Sequence, residues 1–287
     1  MAFLFYFGSM NFICFNGKTL PEDERILLAG NRGYRYGDGL FETMKLANGR
    51  IILEDYHFER LEAGMQLLQF NKPALFNKEN IREEIIGLSR KNNCEKLARI
   101  RLSVSRGNGG LYDSDDRFQY LIECWSLNSS LNKLNENGLV IDVFPDARKG
   151  CDLFSNLKTA NYLPYVMASI WAKKNKLNDA LLLNTHERIC DATLANIFWI
   201  KNESIFTPPL SEGCVAGVMR RYLLENLQSS GFQVKEQKLE TTDLEDANEV
   251  FLTNAIRDIR WVKQFRNKIY GNTLSPEIFN KHLKAFF

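Results

Sequence analysis

The sequence predicts an α/β protein of two domains. Apolar strand-like runs alternate with amphipathic helical stretches along the chain, which argues for mixed α/β layers. The length, 287 residues, suits one large domain or two medium ones. A polar, turn-rich stretch, Asn128-Ser129-Ser130-Leu131-Asn132-Lys133-Leu134-Asn135-Glu136-Asn137-Gly138, interrupts the pattern near the middle. The chain therefore reads as an N-terminal domain over 1–127, a linker over 128–138 and a C-terminal domain over 139–287.

Taken in order, Asn11 to Lys18 reads as a first strand and Ile51-Ile52-Leu53 as a short one. From Asp55 to Phe70, Phe58, Leu61, Met65 and Leu68 recur at helical spacing, and the plain reading of that stripe is core. A second helix is expected over Lys78 to Asn92. Lys96 to Ser105 alternates, with Leu97, Ile100, Leu102 and Val104 among basic and polar residues, and reads as a strand; Arg117 to Ser126 reads as another. Beyond the linker come a strand over Leu139 to Phe144, a helix over Tyr162 to Asn175 and a strand over Asp179 to Asn184. Further strand is expected within Ile189 to Ile200, then a strongly amphipathic helix over Gly217 to Ser230 and a late strand over Glu249 to Thr253.

Composition narrows the function classes. Formal net charge is +2, with basic residues spread out, so no footprint for nucleic acid or an anionic membrane is visible. The densest basic cluster, Lys173-Lys174-Asn175-Lys176, reads as a solvated helix end. Cysteines stand at positions 14, 94, 124, 151, 190 and 214 without a Cys-x-x-Cys pair, and histidines number three; no metal site is expected. Scattered single cysteines suit a reducing cytoplasm. Met1 to Met10 is apolar but short, lacks a basic start and is cut by polar Asn11, so a signal peptide is the lesser reading. No other stretch is long enough to span a bilayer.

The chemistry-bearing residues come in a fixed order. Lys158 stands in Asn156-Leu157-Lys158-Thr159-Ala160-Asn161-Tyr162. Downstream come Asp191-Ala192-Thr193-Leu194-Ala195-Asn196-Ile197-Phe198, Ile205-Phe206-Thr207, and Val215-Ala216-Gly217-Val218-Met219-Arg220. A lone lysine reads as surface charge. An amine, a carboxylate and a glycine turn entering a helix make a stronger set: a nucleophilic amine, an anion, and a helix N-terminus able to bind another anion. Upstream stand Asn31-Arg32-Gly33-Tyr34-Arg35-Tyr36-Gly37-Asp38-Gly39-Leu40-Phe41-Glu42-Thr43 and His57-Phe58-Glu59-Arg60-Leu61.

Together these segments resemble the class IV aminotransferases, the fold-type IV enzymes that use pyridoxal phosphate. The resemblance covers roughly Asn16 to Lys263. It implies a smaller N-terminal α/β domain and a larger C-terminal α/β pseudo-barrel domain. It implies pyridoxal 5′-phosphate as cofactor, a homodimer, and a small-molecule amine or amino acid as substrate. Lys158 would form the Schiff base and Arg60 would hold the phosphate, for which a guanidinium suits bidentate contact. Asp191 would pair with the pyridinium nitrogen, with Thr193 and Asn196 orienting it. Gly217, Val218 and Met219 would form the phosphate turn, completed by Thr253 and Asn254. His57 reads as structural. Phe41 and Glu42 read equally as substrate-pocket residues or buried strand residues. Arg106 and Arg257 are candidates for a substrate carboxylate, against a plain reading as surface ion pairs. The segment Arg106 to Asp113 is the candidate for a loop that completes the partner's pocket. Asn11 to Lys18 resembles the usual starting strand, so residues 1–9 read as an extension or a misplaced start. The family usually has glutamate where this chain has Asp191, one methylene shorter; either the backbone approaches the ring or a water bridges the gap.

Within the family, Lys158-x-x-Asn161 spacing is nearer D-amino-acid transaminases and 4-amino-4-deoxychorismate lyases than branched-chain transaminases. D-amino-acid transaminases follow the Arg-Gly turn with Arg and His; here Gly109-Gly110-Leu111-Tyr112-Asp113 has neither. Ser105-Arg106-Gly107-Asn108-Gly109-Gly110 and Thr253-Asn254-Ala255 both recur in the lyases. Lyase chemistry is therefore the first choice, releasing pyruvate and 4-aminobenzoate. A transaminase acting on branched-chain or D-amino acids is the alternative, and a non-catalytic binder of the cofactor the remote one.

Overall fold

The structure, a computed structural model, describes residues 11–112, 115 and 117–286. The expected extension over residues 1–9 and the expected loop end at Asp113 lie outside the described residues. The chain forms two compact units. One is built from the chain up to Asn128 together with Thr159–Asn161, the other from Ser129–Lys158 and Tyr162–Phe287.

The first unit contains strands β1 (Phe12–Phe15) and β2 (Lys18–Pro21), helix α1 (Arg32–Tyr36), strands β3 (Gly39–Ala47) and β4 (Arg50–Ile51), helices α2 (Glu54–Leu67) and α3 (Lys78–Lys91), and strands β5 (Leu97–Arg106) and β6 (Phe118–Ser126). The strands form one antiparallel sheet in the order β2-β1-β6-β5-β3-β4. On β5 the alternation expected from the sequence buries Ala98, Ile100, Leu102 and Val104. β4 stops at Ile51 rather than continuing through Leu53, because Leu53 turns left-handed at φ 54 to enter α2. The buried face of α2 is His57, Leu61, Gly64 and Met65, rotated from the purely apolar stripe. A polar His57 tolerates burial because a carboxylate meets it. Asn77 caps α3 through its side chain, which accepts from the Asn80 backbone N–H.

The second unit contains β7 (Leu139–Lys149), α4 (Leu163–Lys174), β8 (Asp179–Asn184), β9 (Ile189–Ala192), β10 (Asn196–Lys201), β11 (Ser204–Thr207), α5 (Val218–Ser229), β12 (Val234–Glu236), α6 (Thr241–Asp246), β13 (Glu249–Asn254), β14 (Asp258–Phe265), β15 (Lys268–Ile269) and α7 (Leu274–Ile278). Its sheet runs β12-β11-β10-β13-β14-β7-β8-β9, with β15 beside β14. One core joins Ile141, Leu181, Ile197, Trp199, Val250 and Phe265. Another, under α4, joins Phe144, Tyr165, Ala168, Leu182, Cys190 and Cys214. Gly138, at φ 66, leads into β7 where a Cβ would come within 2.5 Å of the Lys263 side chain, so the turn before β7 needs glycine. The stretch expected as a linker belongs to this unit from Ser129 on, with Asn135 bonded to Trp261.

Two details of the strands shape the site. Ile189 to Ile200 is two strands, because the Ala192 N–H donates to the Ala195 carbonyl and closes a turn. β7 does not end at Phe144 but runs on to Lys149, with a register shift against β8 between Val143 and Arg148. Such a bulge bends the strand and re-aims the side chains beyond it.

Candidate functional site

In the second unit the centre is Asp191, on β9 and 2% exposed. Its Oδ2 accepts from Lys149 Nζ at 2.8 Å, Tyr165 Oη at 2.8 Å and the Val215 backbone N–H at 2.9 Å. Its Oδ1 accepts from Asn196 Nδ2 at 3.0 Å. Asn196, at the start of β10, also donates to the Val215 carbonyl at 2.9 Å. The carboxylate is thus clamped by β7, α4, β10 and the loop before α5. Burial pulls the Lys149 ammonium toward neutrality, but the Asp191 charge outweighs it and holds the pKa above its ordinary value. Burial, and then the Asp191 charge, push the Tyr165 phenol well up, so it stays a donor.

Lys158 lies between β7 and α4, half-buried, with Nζ 5.6 Å from the Tyr162 ring centroid. Tyr162 stacks on Tyr165 at 4.1 Å. Asn156 ties this segment to the loop before α5. Its carbonyl accepts from the Ala216 N–H, and its side chain donates to the Leu210 and Cys214 carbonyls.

Gly217 is the N-cap of α5 and offers no side-chain cap. Among the described residues nothing accepts from the N–H groups of Val218, Met219 and Arg220; the first helical bond runs from the Arg221 N–H to the Gly217 carbonyl. These are the orphan donors of a helix start. A Cβ on Gly217 would collide with Asn196 Oδ1, so this close approach admits only glycine. Thr253, opposite Asn196 in the β10–β13 pairing, spends its hydroxyl on the Asp258 carbonyl at 2.7 Å. Asn254 accepts from the Ile256 and Arg257 N–H groups and closes the turn that leaves Arg257 exposed.

In the first unit, Arg60 on α2 forms a fork with Glu42 on β3, Nε to Oε1 at 2.8 Å and Nη2 to Oε2 at 2.6 Å. His57 Nδ1 lies 2.7 Å from Glu42 Oε2. Burial alone would raise the Glu42 pKa; the Arg60 guanidinium and the His57 ring bring it down to about 2. Glu42, read in the sequence as a pocket or strand residue, therefore has both oxygens committed to neighbours on α2. Phe41 is 6% exposed, with the Arg101 guanidinium 3.9 Å from its ring centroid. Arg106 is held by Asp38 at 2.5 Å, by the Leu68 and Gln69 carbonyls and by the Phe70 ring, so its guanidinium is spent on local structure. Thr193 does not orient Asp191; its hydroxyl donates to Asp179 at 2.5 Å.

Sequence reasoning missed Lys149 and Tyr165. The only trace of Tyr165 was its spacing three residues after Tyr162 on a helix. Lys149 gave none, since a lysine before a glycine reads as a strand end.

A family model described as Amino-transferase class IV matches residues 39–265. The chain is 33% identical over 231 residues to an aminodeoxychorismate lyase of Vibrio harveyi, covering 79% of this chain and 83% of that one. It is 29% identical over 265 residues to an aminodeoxychorismate lyase of Bacillus subtilis (strain 168), covering 90% and 87%. The crystal structure of a branched-chain aminotransferase from Thermoproteus uzoniensis with norvaline matches with a TM-score of 0.85 at 20% identity, covering 95% of this chain and 93% of that one. At that identity the likeness speaks to the fold.

Proposed function

The chain belongs to the class IV aminotransferases and is a pyridoxal-phosphate-dependent enzyme, and from that premise we propose that it is an aminodeoxychorismate lyase. The similarity to two such lyases along most of the chain carries this reading.

The residues present fit the cofactor. Asp191 Oδ1 accepts from Asn196 alone among the described residues, and a carboxylate oxygen can take a further donor, here the ring nitrogen. The orphan N–H groups of Val218 and Met219, behind a Gly217 with no room for a Cβ, suit the phosphate. Arg60 is a further phosphate ligand on the same reading, a guanidinium being suited to bidentate contact with a phosphate. Thr253 and Asn254 serve through backbone and turn geometry. Lys158 carries the cofactor. With Asp191 serving the ring nitrogen, Lys149 does not suit that role, because the ring nitrogen and the aldehyde carbon lie at opposite ends of the ring. A lysine bonded to Asp191 cannot also reach the aldehyde end.

When bound, pyridoxal phosphate supplies an electron sink conjugated to the substrate amine. Lys158 Nζ takes the proton from the amine-bearing ring carbon. The enolpyruvyl ether bond breaks, the ring becomes aromatic, and the substrate's atoms leave as 4-aminobenzoate and pyruvate without an oxidant. Exposed Arg257 is the candidate for a substrate carboxylate.

Two finer points belong to the same reading. The enzyme is a homodimer: α4 buries Tyr165, Ala168 and Ala172, yet its other face exposes Leu163, Val166, Met167 and Ile170. A helix apolar on both faces is one that is covered on both, and a second copy is the covering proposed. The tip Leu111-Tyr112, strongly exposed, belongs to the loop that would complete the partner's pocket. The location is cytoplasmic, in keeping with six free cysteines; among the described residues no helix is long and apolar enough to cross a membrane.

The test is an assay of the purified, cofactor-loaded protein on aminodeoxychorismate beside L- and D-amino acids with 2-oxoglutarate. Pyruvate and 4-aminobenzoate in equal amounts are expected. Amino transfer without pyruvate release would select the transaminase instead.

A further inference from the structure

Among the described residues Lys149 is the one ammonium that touches Asp191, and the reaction makes no direct use of it. It ends β7 at 8% exposure, 2.8 Å from Asp191 Oδ2 and 5.0 Å from the Tyr165 ring centroid. The other titratable groups acting on it, Cys190 and Cys214, are thiols: burial pushes Cys190 well up and Cys214 up to about 12. The patch therefore holds a cation beside an anion among neutral donors.

We propose that Lys149 is a positioning residue that captures one oxygen of Asp191 and offsets its charge, so that the ring nitrogen of pyridoxal phosphate meets a single, partly neutralised carboxylate oxygen. The inference rests on the reading of Asp191 as that nitrogen's partner. Oδ2 already holds three donors, which leaves Oδ1 to face the ring. A carboxylate draws a proton onto the ring nitrogen; a cation behind that carboxylate works against it. The ring nitrogen is then less fully protonated than a carboxylate alone would make it, and the electron sink is weaker. A weaker sink penalises amino transfer, which depends on it throughout, more than an elimination driven forward by aromatisation. Lys149 is thereby a determinant of reaction type.

The charge is testable apart from packing. Lys149→Met removes charge and hydrogen bond, Lys149→Gln keeps a donor to Oδ2 without the charge, and Lys149→Arg keeps the charge. Each enzyme is loaded with pyridoxal phosphate isotopically labelled at the ring nitrogen, and the nitrogen's NMR shift is followed against pH. Met and Gln should raise the ratio of protonated to neutral ring nitrogen about tenfold, one pK unit being the low end for a neighbouring charge. Arg should titrate as wild type. Amino transfer relative to pyruvate release should rise about tenfold in Met and Gln with it. Should Met fail to fold, Gln carries the comparison. Borohydride reduction of the same samples locates the cofactor. A pyridoxyl group on Lys158 with an unmoved ring nitrogen in both neutral variants overturns the Lys149 inference alone. A pyridoxyl group on Lys149 overturns the reading of the whole site.

Discussion

Replacing Glu42 by glutamine should cost the fold about 3 kcal/mol at neutral pH, and the cost should shrink as the solution is acidified. The magnitude comes from the pairing on α2. Glu42 is 1% exposed, and its carboxyl falls from an ordinary 4.5 to about 2 beside Arg60 and His57. A difference of about 2.5 pK units corresponds to about 3 kcal/mol of preference for the charged form in the folded chain. Breaking a buried pair by removing one partner independently costs about 3–5 kcal/mol. The folded pKa is depressed, so the stabilisation is complete above the unfolded value and is lost as pH falls through the folded one. The window therefore runs from pH 4.5 down to about 2. Urea unfolding of cofactor-stripped protein, followed by circular dichroism at a series of pH values, reads it directly; without cofactor, mass action does not enter. The wild-type advantage over Glu42→Gln should be flat above about pH 5 and fall below half by about pH 3. An advantage under about 1 kcal/mol at neutral pH, or one independent of pH across that window, would refute the reasoning.

The second unit offers four further tests. Borohydride reduction and peptide mapping should place the pyridoxyl group on Lys158, and Lys158→Ala should abolish turnover; a label on any other lysine sinks the assignment. Asp191→Asn should lower turnover about a hundredfold or more, the scale lost with a key electrostatic partner, while cofactor still attaches. Asp191→Glu should also be impaired, because a longer side chain must displace Lys149 and Tyr165, each at 2.8 Å; wild-type turnover would show the clamp to be slack. Gly217→Ala should weaken cofactor binding about tenfold or more, with about 1–3 kcal/mol of overpacking, because Asn196 cannot retreat without releasing Asp191; unchanged affinity in a fluorescence titration would contradict this. Ile170→Lys, placed on the exposed face of α4, should yield monomers in light scattering, and a dimer of wild-type strength would remove that face from the interface.

What the sequence made legible was mostly local. The alternation of β5 and the helical period of α3 reflect contacts each element makes with one layer, and periodicity records that. Asp191, Asn196 and Gly217 stood out because they lie in short ordered motifs, and the structure brings these residues together. Long-range partners left no local trace. Lys149 reaches Asp191 across 42 residues, and only because β7 continues through a bulge at a point where Pro145-Asp146 reads as the end of a strand. Thr193, two residues from Asp191, looked like its support but faces Asp179 instead, because the chain turns immediately after β9. Glu42 could not be assigned before α2 was packed on β3. His57 and Arg60, one turn apart, are the trace it left: they present their nitrogens to one acceptor.

Two buried carboxylates, Glu42 and Asp191, share a design that bears on how variants should be read. Each is balanced by a cation from its own unit, Arg60 or Lys149, and oriented by hydrogen bonds to further groups. An isolated buried charge would be costly, so the fold itself sets where these oxygens point. Stability and function are then carried by the same atoms. A loss of activity in Glu42 or Lys149 variants does not separate a misplaced carboxylate from a loosened unit. The separating observable is charge-specific. A structural role predicts that Lys149→Gln and Lys149→Arg fail alike, each being a misfit in a packed site. An electrostatic role predicts that they part company at the ring nitrogen while their unfolding curves stay alike.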